Sequence, residues 1–238
     1  MFLPLFGGYG LYLLFSLPAL ILGLWAQAKV KGAFKKYARV RNIVGLSGAD
    51  IARKMLNSHG LNNVRVEETG GMLSDHYDPV TKVLRLSSDT FRGATISAAG
   101  VAAHEAGHAL QDQEGYVPMH IRSAIVPAVQ IGSWLGPIIF MIGLFLTSTI
   151  GTQLAWLGIL IFSASAVFAL VTLPVELDAS RRAKEWLAGS GVLYQSEMEG
   201  IYTVLNAAAW TYVAAAIQAV TTILYYVFLL SGSRGRRN

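Results

Sequence analysis

The sequence predicts an integral membrane protein, mainly α-helical, with four transmembrane helices and one small α+β insert. Three observations predict this. Of 238 residues, 53% are hydrophobic and only 14% charged, with a mean hydropathy of +0.47; soluble domains carry roughly 25% charge. Four runs of about 20 residues hold no charge, which is the length needed to cross a hydrocarbon core. Between the first and second runs lies a polar stretch with the mixed helix and strand periodicity of a small folded domain.

The first run, residues 3–26, closes near Trp25 as an interfacial anchor would. It lacks the basic start and clean cleavage site of a signal peptide, so it reads as a retained anchor, residues 1–28. Lys29, Lys31, Lys35, Lys36, Arg39 and Arg41 follow directly and place the next segment in the cytoplasm. That segment, residues 29–124, is the α+β insert. Ser47-Gly48-Ala49-Asp50 forms a capping box for a helix over 51–59, which Gly60 ends. Residues 63–67 and 82–87 alternate like strands, with turns at Gly70-Gly71 and Asp78-Pro79 and His76 expected in the turn between the strands. Residues 97–113 read as a further helix.

Residues 125–147 and 154–173 form a transmembrane hairpin closed by a tight turn over 148–153. Gly132 and Gly136 suit close helix packing, with Pro137 a possible kink. Residues 174–206 return to the cytoplasm as a helical segment. Residues 207–238 form the last span and a basic tail, with Trp210, Tyr212, Tyr225 and Tyr226 at interface positions. Sixteen of nineteen Lys and Arg then face the cytoplasm. Arg234, Arg236 and Arg237 fall outside, against the charge rule, and mark the fourth span as the place for irregularity. The net charge of +5 reflects this orientation rather than nucleic-acid binding. With no Cys, a metal could be held only by His, Asp or Glu.

The chemistry concentrates in His104-Glu105-Ala106-Gly107-His108. Histidines four apart on a helix share a face and can reach one ion, and Glu105 sits about 100° round the helix, within reach of a water there. This is the H-E-x-x-H arrangement of zinc proteases. Buried as a mere polar patch among Ala and Gly, the same groups would be costly. Catalytic zinc takes three protein ligands and keeps one position open. His59, His76 and His120 read as surface or interfacial histidines, His120 being the nearest alternative ligand. Glu176 and Asp178 follow the third run, where acids are costly unless partnered. On a helix they point about 200° apart, so one metal takes only one of them. Glu176 shares its face with small Ala179, Ser180 and Ala183; Asp178 faces Arg181 and Arg182. Glu176 is therefore the expected third ligand, with Asp178 behind it holding a histidine or an arginine such as Arg182. Two spans separate His104 from Glu176, so both emerge on one side of the membrane.

The anchor, Ala102-Ala103-His104-Glu105-Ala106-Gly107-His108-Ala109, Arg122-Ser123-Ala124-Ile125-Val126-Pro127 and Pro174-Val175-Glu176-Leu177-Asp178-Ala179-Ser180-Arg181-Arg182-Ala183 together resemble the membrane-bound neutral zinc metallopeptidases of the YugP type. A more distant similarity is to gluzincin membrane proteases of the HtpX and Ste24 type. Those carry an Asp four residues after the zinc-binding Glu; here Asp178 comes two after Glu176 and Ser180 holds the fourth position. The resemblance implies a gluzincin-like zinc protease insert and Zn2+ as cofactor; zinc-dependent peptide hydrolysis beside a membrane makes peptides or membrane proteins the expected substrates, and the placement of the basic residues argues against a nucleic-acid partner. The resemblance also implies a multi-pass protein of the cell membrane; the Lys and Arg bias sets the site facing the cytoplasm, and membrane protein turnover or quality control is the expected role. Glu105 would be general base, and Tyr116, His120, Tyr202 or Arg182 the oxyanion donor. The strand before the H-E-x-x-H helix is expected at a sheet edge, where backbone pairing could hold an extended substrate. The other reading is a membrane scaffold or quality-control partner with a regulatory metal, for which Glu105 has no use.

Overall fold

The computed structural model describes residues 3–71, 74–146 and 148–234; the side chains of 3–12, 14 and 232–234 lie outside the description. Arg236 and Arg237 of the expected basic tail, and the side chain of Arg234, therefore fall outside the described residues. The helices are α1 (Leu3–Tyr37), α2 (Gly48–Ser58), α3 (Ser88–Arg92), α4 (Ile96–Gln113), α5 (Val117–Phe145), α6 (Thr149–Gly189) and α7 (Met198–Arg234). The strands are β1 (Arg65–Thr69), β2 (His76–Asp78) and β3 (Val83–Ser87). The chain divides into two compact units. One comprises Met1–Trp25, Ile121–Leu173 and Tyr212–Asn238; the other comprises Ala26–His120 and Pro174–Thr211.

Among the described residues three helices are long and apolar enough to cross a membrane: Val117–Phe145, Thr149–Gly189 and Gln195–Ser231. The first expected span, residues 3–26, is helical within α1, and its crossing of the membrane belongs to the proposal below. Each helix outruns its apolar stretch. α1 continues through the lysines to Tyr37, and α6 continues past Pro174, where the missing N–H removes one helical bond but does not end the helix. The α5–α6 turn is shorter than 148–153, since α6 begins at Thr149.

In the first unit, α5 and α6 approach at glycines. A Cβ on Gly132 would stand 2.8 Å from the Ile161 carbonyl oxygen, one on Gly136 2.7 Å from the Phe162 nitrogen, and one on Gly158 2.7 Å from the Gly136 oxygen. Backbones this near gain dispersion contacts that do not need water exclusion. Phe140 is buried and stacks on Tyr226 of α7, with ring centroids 4.3 Å apart. Trp134, Phe145 and Leu160 are exposed on the outside, as a lipid-facing surface requires.

In the second unit, Ser47 caps α2 through the expected box: its Oγ accepts from the Asp50 N–H, and Asp50 accepts from the Ser47 N–H. Gly60 follows with φ +76°, a conformation open to glycine. Ile51, Met55 and Leu56 of α2 are buried in one core with Leu84 and Leu86 of β3, Ala102, Ala103 and Ala106 of α4, Val175 and Leu187 of α6, and Ile201 of α7. Thr95 opens α4 by accepting from the Ala98 N–H.

The sheet differs from expectation. Its order is β1-β3-β2, with β1 parallel and β2 antiparallel to β3. β3 is thus the central strand, not an edge available to a substrate, and His76 lies in a strand rather than a turn. Three-residue β2 occupies the expected edge and was too short to show alternation. Leu84, fully buried and paired on both sides, anchors the sheet.

Candidate metal centre

The centre forms where α4 meets the second half of α6. Ala102, Ala103, Ala106, Ala109, Ala179 and Ala183 are all buried. At Gly107 the two backbones come so near that a Cβ would stand 2.7 Å from the Ala179 carbonyl oxygen. Small residues on both helices therefore bring short ligands together. His104 and His108 lie one turn apart with their rings edge to face, centroids 4.8 Å apart. Glu176, 3% exposed, places Oε2 3.0 Å from His104 Nε2 and 3.6 Å from His108 Nε2. One ligand atom from each of the three residues lies within 4.8 Å of the others, so the group could hold a metal ion.

The remaining imidazole nitrogens are also held. His104 Nδ1 meets Ser180 Oγ at 3.0 Å. His108 Nδ1 meets Gln111 Oε1 at 2.9 Å. Gln111 Nε2 donates to the Val175 carbonyl at 2.8 Å and to Asp178 Oδ2 at 3.0 Å. Both of these partners are acceptors, so the Gln111 oxygen must face His108, and His108 Nδ1 must carry a proton. The lone pair of neutral His108 is then on Nε2, facing Glu176. Two imidazole nitrogens with fixed second partners and one carboxylate suit zinc, and three ligands leave the fourth position open. Burial favours the neutral form of His108, but Glu176, Glu105 and Gln111 reverse that and raise its pKa above the ordinary histidine value. The pocket thus draws positive charge.

Among the described residues, Asp178 makes no hydrogen bond to a histidine. It receives Arg181 and, at 2.6 Å, Arg182 Nε, and reaches His108 only through Gln111. Arg182 also donates to Glu114, at 2.8 and 2.7 Å. Of the two partners expected for Asp178, a histidine or an arginine, it meets the arginine. Glu105 is 9% exposed, has no hydrogen-bond partner among the described residues, and lies near enough to act electrostatically on His108. The other histidines are elsewhere: His59 Nδ1 bonds the Met55 carbonyl, His76 Nδ1 bonds the Ser74 carbonyl, and His120 is exposed. Sequence reasoning missed Gln111 and Ser180. The signals were available: Gln111 stands three residues after His108, and Ser180 four after Glu176, where the HtpX pattern has Asp.

Fold and cluster define a class: a helical membrane protein with a His, His, Glu metal-ligand set carried on two packed helices. The family described as "Putative neutral zinc metallopeptidase" matches residues 12–231, and the chain belongs to it. The chain is 44% identical over 224 residues to "Putative membrane protease YugP" of Bacillus subtilis (strain 168), covering 94% of this chain and 98% of that protein. No solved structure matches.

Proposed function

We propose that this protein is a four-span membrane zinc metallopeptidase that hydrolyses peptide bonds at a site on the cytoplasmic side. Its substrates would be peptides or membrane proteins undergoing turnover or quality control. One observation carries the reading: the Nε2 atoms of His104 and His108 and the Glu176 carboxylate converge, while Ser180 and Gln111 occupy both Nδ1 atoms. Zinc held there would polarise a scissile carbonyl and lower the pKa of a water towards neutrality.

The chain's own residues do the rest. Glu105 is the general base: buried beside His108 with its carboxylate uncommitted, it takes a proton from the attacking water and returns it to the leaving amine. Ser180 and Gln111 keep the imidazoles aimed. Arg182 is held by Asp178 and Glu114, which leaves Tyr116 and Tyr202 as the oxyanion donors in preference to exposed His120. A scaffold with a regulatory metal would have no use for a buried, unpaired carboxylate at Glu105. Backbone pairing with an extended substrate falls to β1 or β2, because β3 is enclosed. Cleavage of casein by purified protein in detergent tests the reading. Glu105→Gln should keep about one zinc and lose about 10²- to 10⁴-fold in turnover, the contribution of a positioned proton transfer; unchanged cleavage by Glu105→Gln would remove Glu105 from the mechanism.

A further inference from the structure

Gln111 is fully buried, yet uses every polar atom of its amide. Its oxygen accepts from His108 Nδ1–H on its own helix, one turn back. Its nitrogen reaches across to α6 twice, to the Val175 carbonyl beside Glu176 and to the Asp178 carboxylate two residues beyond it. Asp178 in turn is fixed by Arg182, which Glu114 clamps from the end of α4. One amide thus touches a ligand on one helix and brackets the ligand on the other. Only an amide fits: the position needs one acceptor towards an N–H and two donors towards oxygens. A carboxylate would set oxygen against the Val175 and Asp178 oxygens, and an apolar side chain would leave the His108 N–H and a buried carboxylate without partners.

We infer that Gln111 is a positioning residue: it fixes the His108 tautomer with Nε2 open to metal and couples that imidazole to the α6 segment bearing Glu176. This rests on the zinc reading above. Ser180 acts differently, since a hydroxyl can donate or accept and imposes no tautomer on His104. Gln111 therefore sets the chemical form of one ligand as well as its direction.

The test is zinc affinity of the full chain in detergent, measured by competition with a chromophoric chelator, beside the thermal stability of the metal-free protein. Gln111→Met should weaken zinc 10- to 100-fold, as loss of a residue orienting a metal-bound histidine does. Gln113→Met, an exposed neighbour on α4, should leave the affinity unchanged. Gln111→Glu should weaken zinc as well, and adding Asp178→Asn should recover part of the loss by removing the like charge opposite the new carboxylate. A merely structural role would lower stability without that pattern of loss and recovery in zinc Kd. The pair Gln111→Glu with and without Asp178→Asn decides the matter if Gln111→Met fails to fold. Wild type and Gln111→Met binding zinc equally tightly would overturn the inference alone. Wild type binding no zinc would overturn it together with the metallopeptidase reading.

Discussion

α6 packs by close backbone approach in both units, with different consequences. In Ile121–Leu173 it meets α5 at Gly132, Gly136 and Gly158, and the contact holds two apolar helices together. In Pro174–Thr211 it meets α4 at Gly107 and Ala179, and the contact brings Glu176 to His104 and His108. The first region surrounds its glycines with Phe140, Ile159 and Leu230. The second carries Gln111 on α4 and Asp178, Ser180 and Arg182 on α6, every one in a hydrogen bond. Small residues therefore supply stability in one place and ligand geometry in the other.

The largest predicted effect separates these roles. Gly107→Leu must push the α6 backbone away, because the first added carbon already stands 2.7 Å from the Ala179 oxygen. Zinc affinity should fall more than a hundredfold, read by chelator competition. Gly136→Leu should instead lower stability by the cost of overpacking, about 1–3 kcal/mol, seen as a lower thermal midpoint, with zinc affinity of the folded protein kept. Equal loss of zinc in both variants would break the comparison.

A smaller effect is expected away from ligands but within the polar unit. Tyr77 of β2 donates to Asp112 of α4 at 2.7 Å, and Asp112 also receives Lys82 at 2.5 Å. Burial and the adjacent carboxylate push the Tyr77 pKa up, so it remains a donor across the usable pH range. Tyr77→Phe should cost about 1 kcal/mol in denaturant unfolding and leave zinc in place.

The smallest effect concerns acid. Bonds from the Thr81 side chain, partly opposed by burial and then reinforced by the Thr81 and Val80 backbone and by Arg85, hold the Asp78 carboxyl well below its ordinary value. A depressed folded pKa gives stability that is present above the unfolded pKa of about 3.9 and lost as pH falls through the folded value. Asp78→Asn should therefore lower stability near neutrality and make it less sensitive to pH below about 4. Melting curves from pH 7 to 3 check this; equal acid sensitivity in wild type and variant would remove Asp78 from the account.

Much of the site was legible because its spacing is local. His104 and His108 are fixed by one helical turn, and Glu176 was separated from Asp178 by the small residues on its face. Asp178 and Arg182 were also readable as a pair, since i and i+4 meet on a helix. The polar side chains behind the histidines are not legible in this way, because an amide such as Gln111 and a hydroxyl such as Ser180 are common on any helix and take their roles only from the packing of α4 on α6. The three long apolar helices were legible from length, whereas their ends were not: α1 and α6 run on beyond their apolar stretches because nothing at Lys29 or Pro174 stops them. The sheet order was hidden for another reason. Strand β2 has three residues, and its pairing with β3 depends on a fold that sequence alternation does not carry.

The most direct test of the convergence of α4 and α6 on one metal is the zinc stoichiometry of wild type, Glu176→Ala and His120→Ala after dialysis against a weak chelator. The account predicts about one zinc in wild type and in His120→Ala, and none retained in Glu176→Ala. A Glu176→Ala protein that is folded and keeps its zinc would show that the third ligand lies elsewhere and would contradict the account.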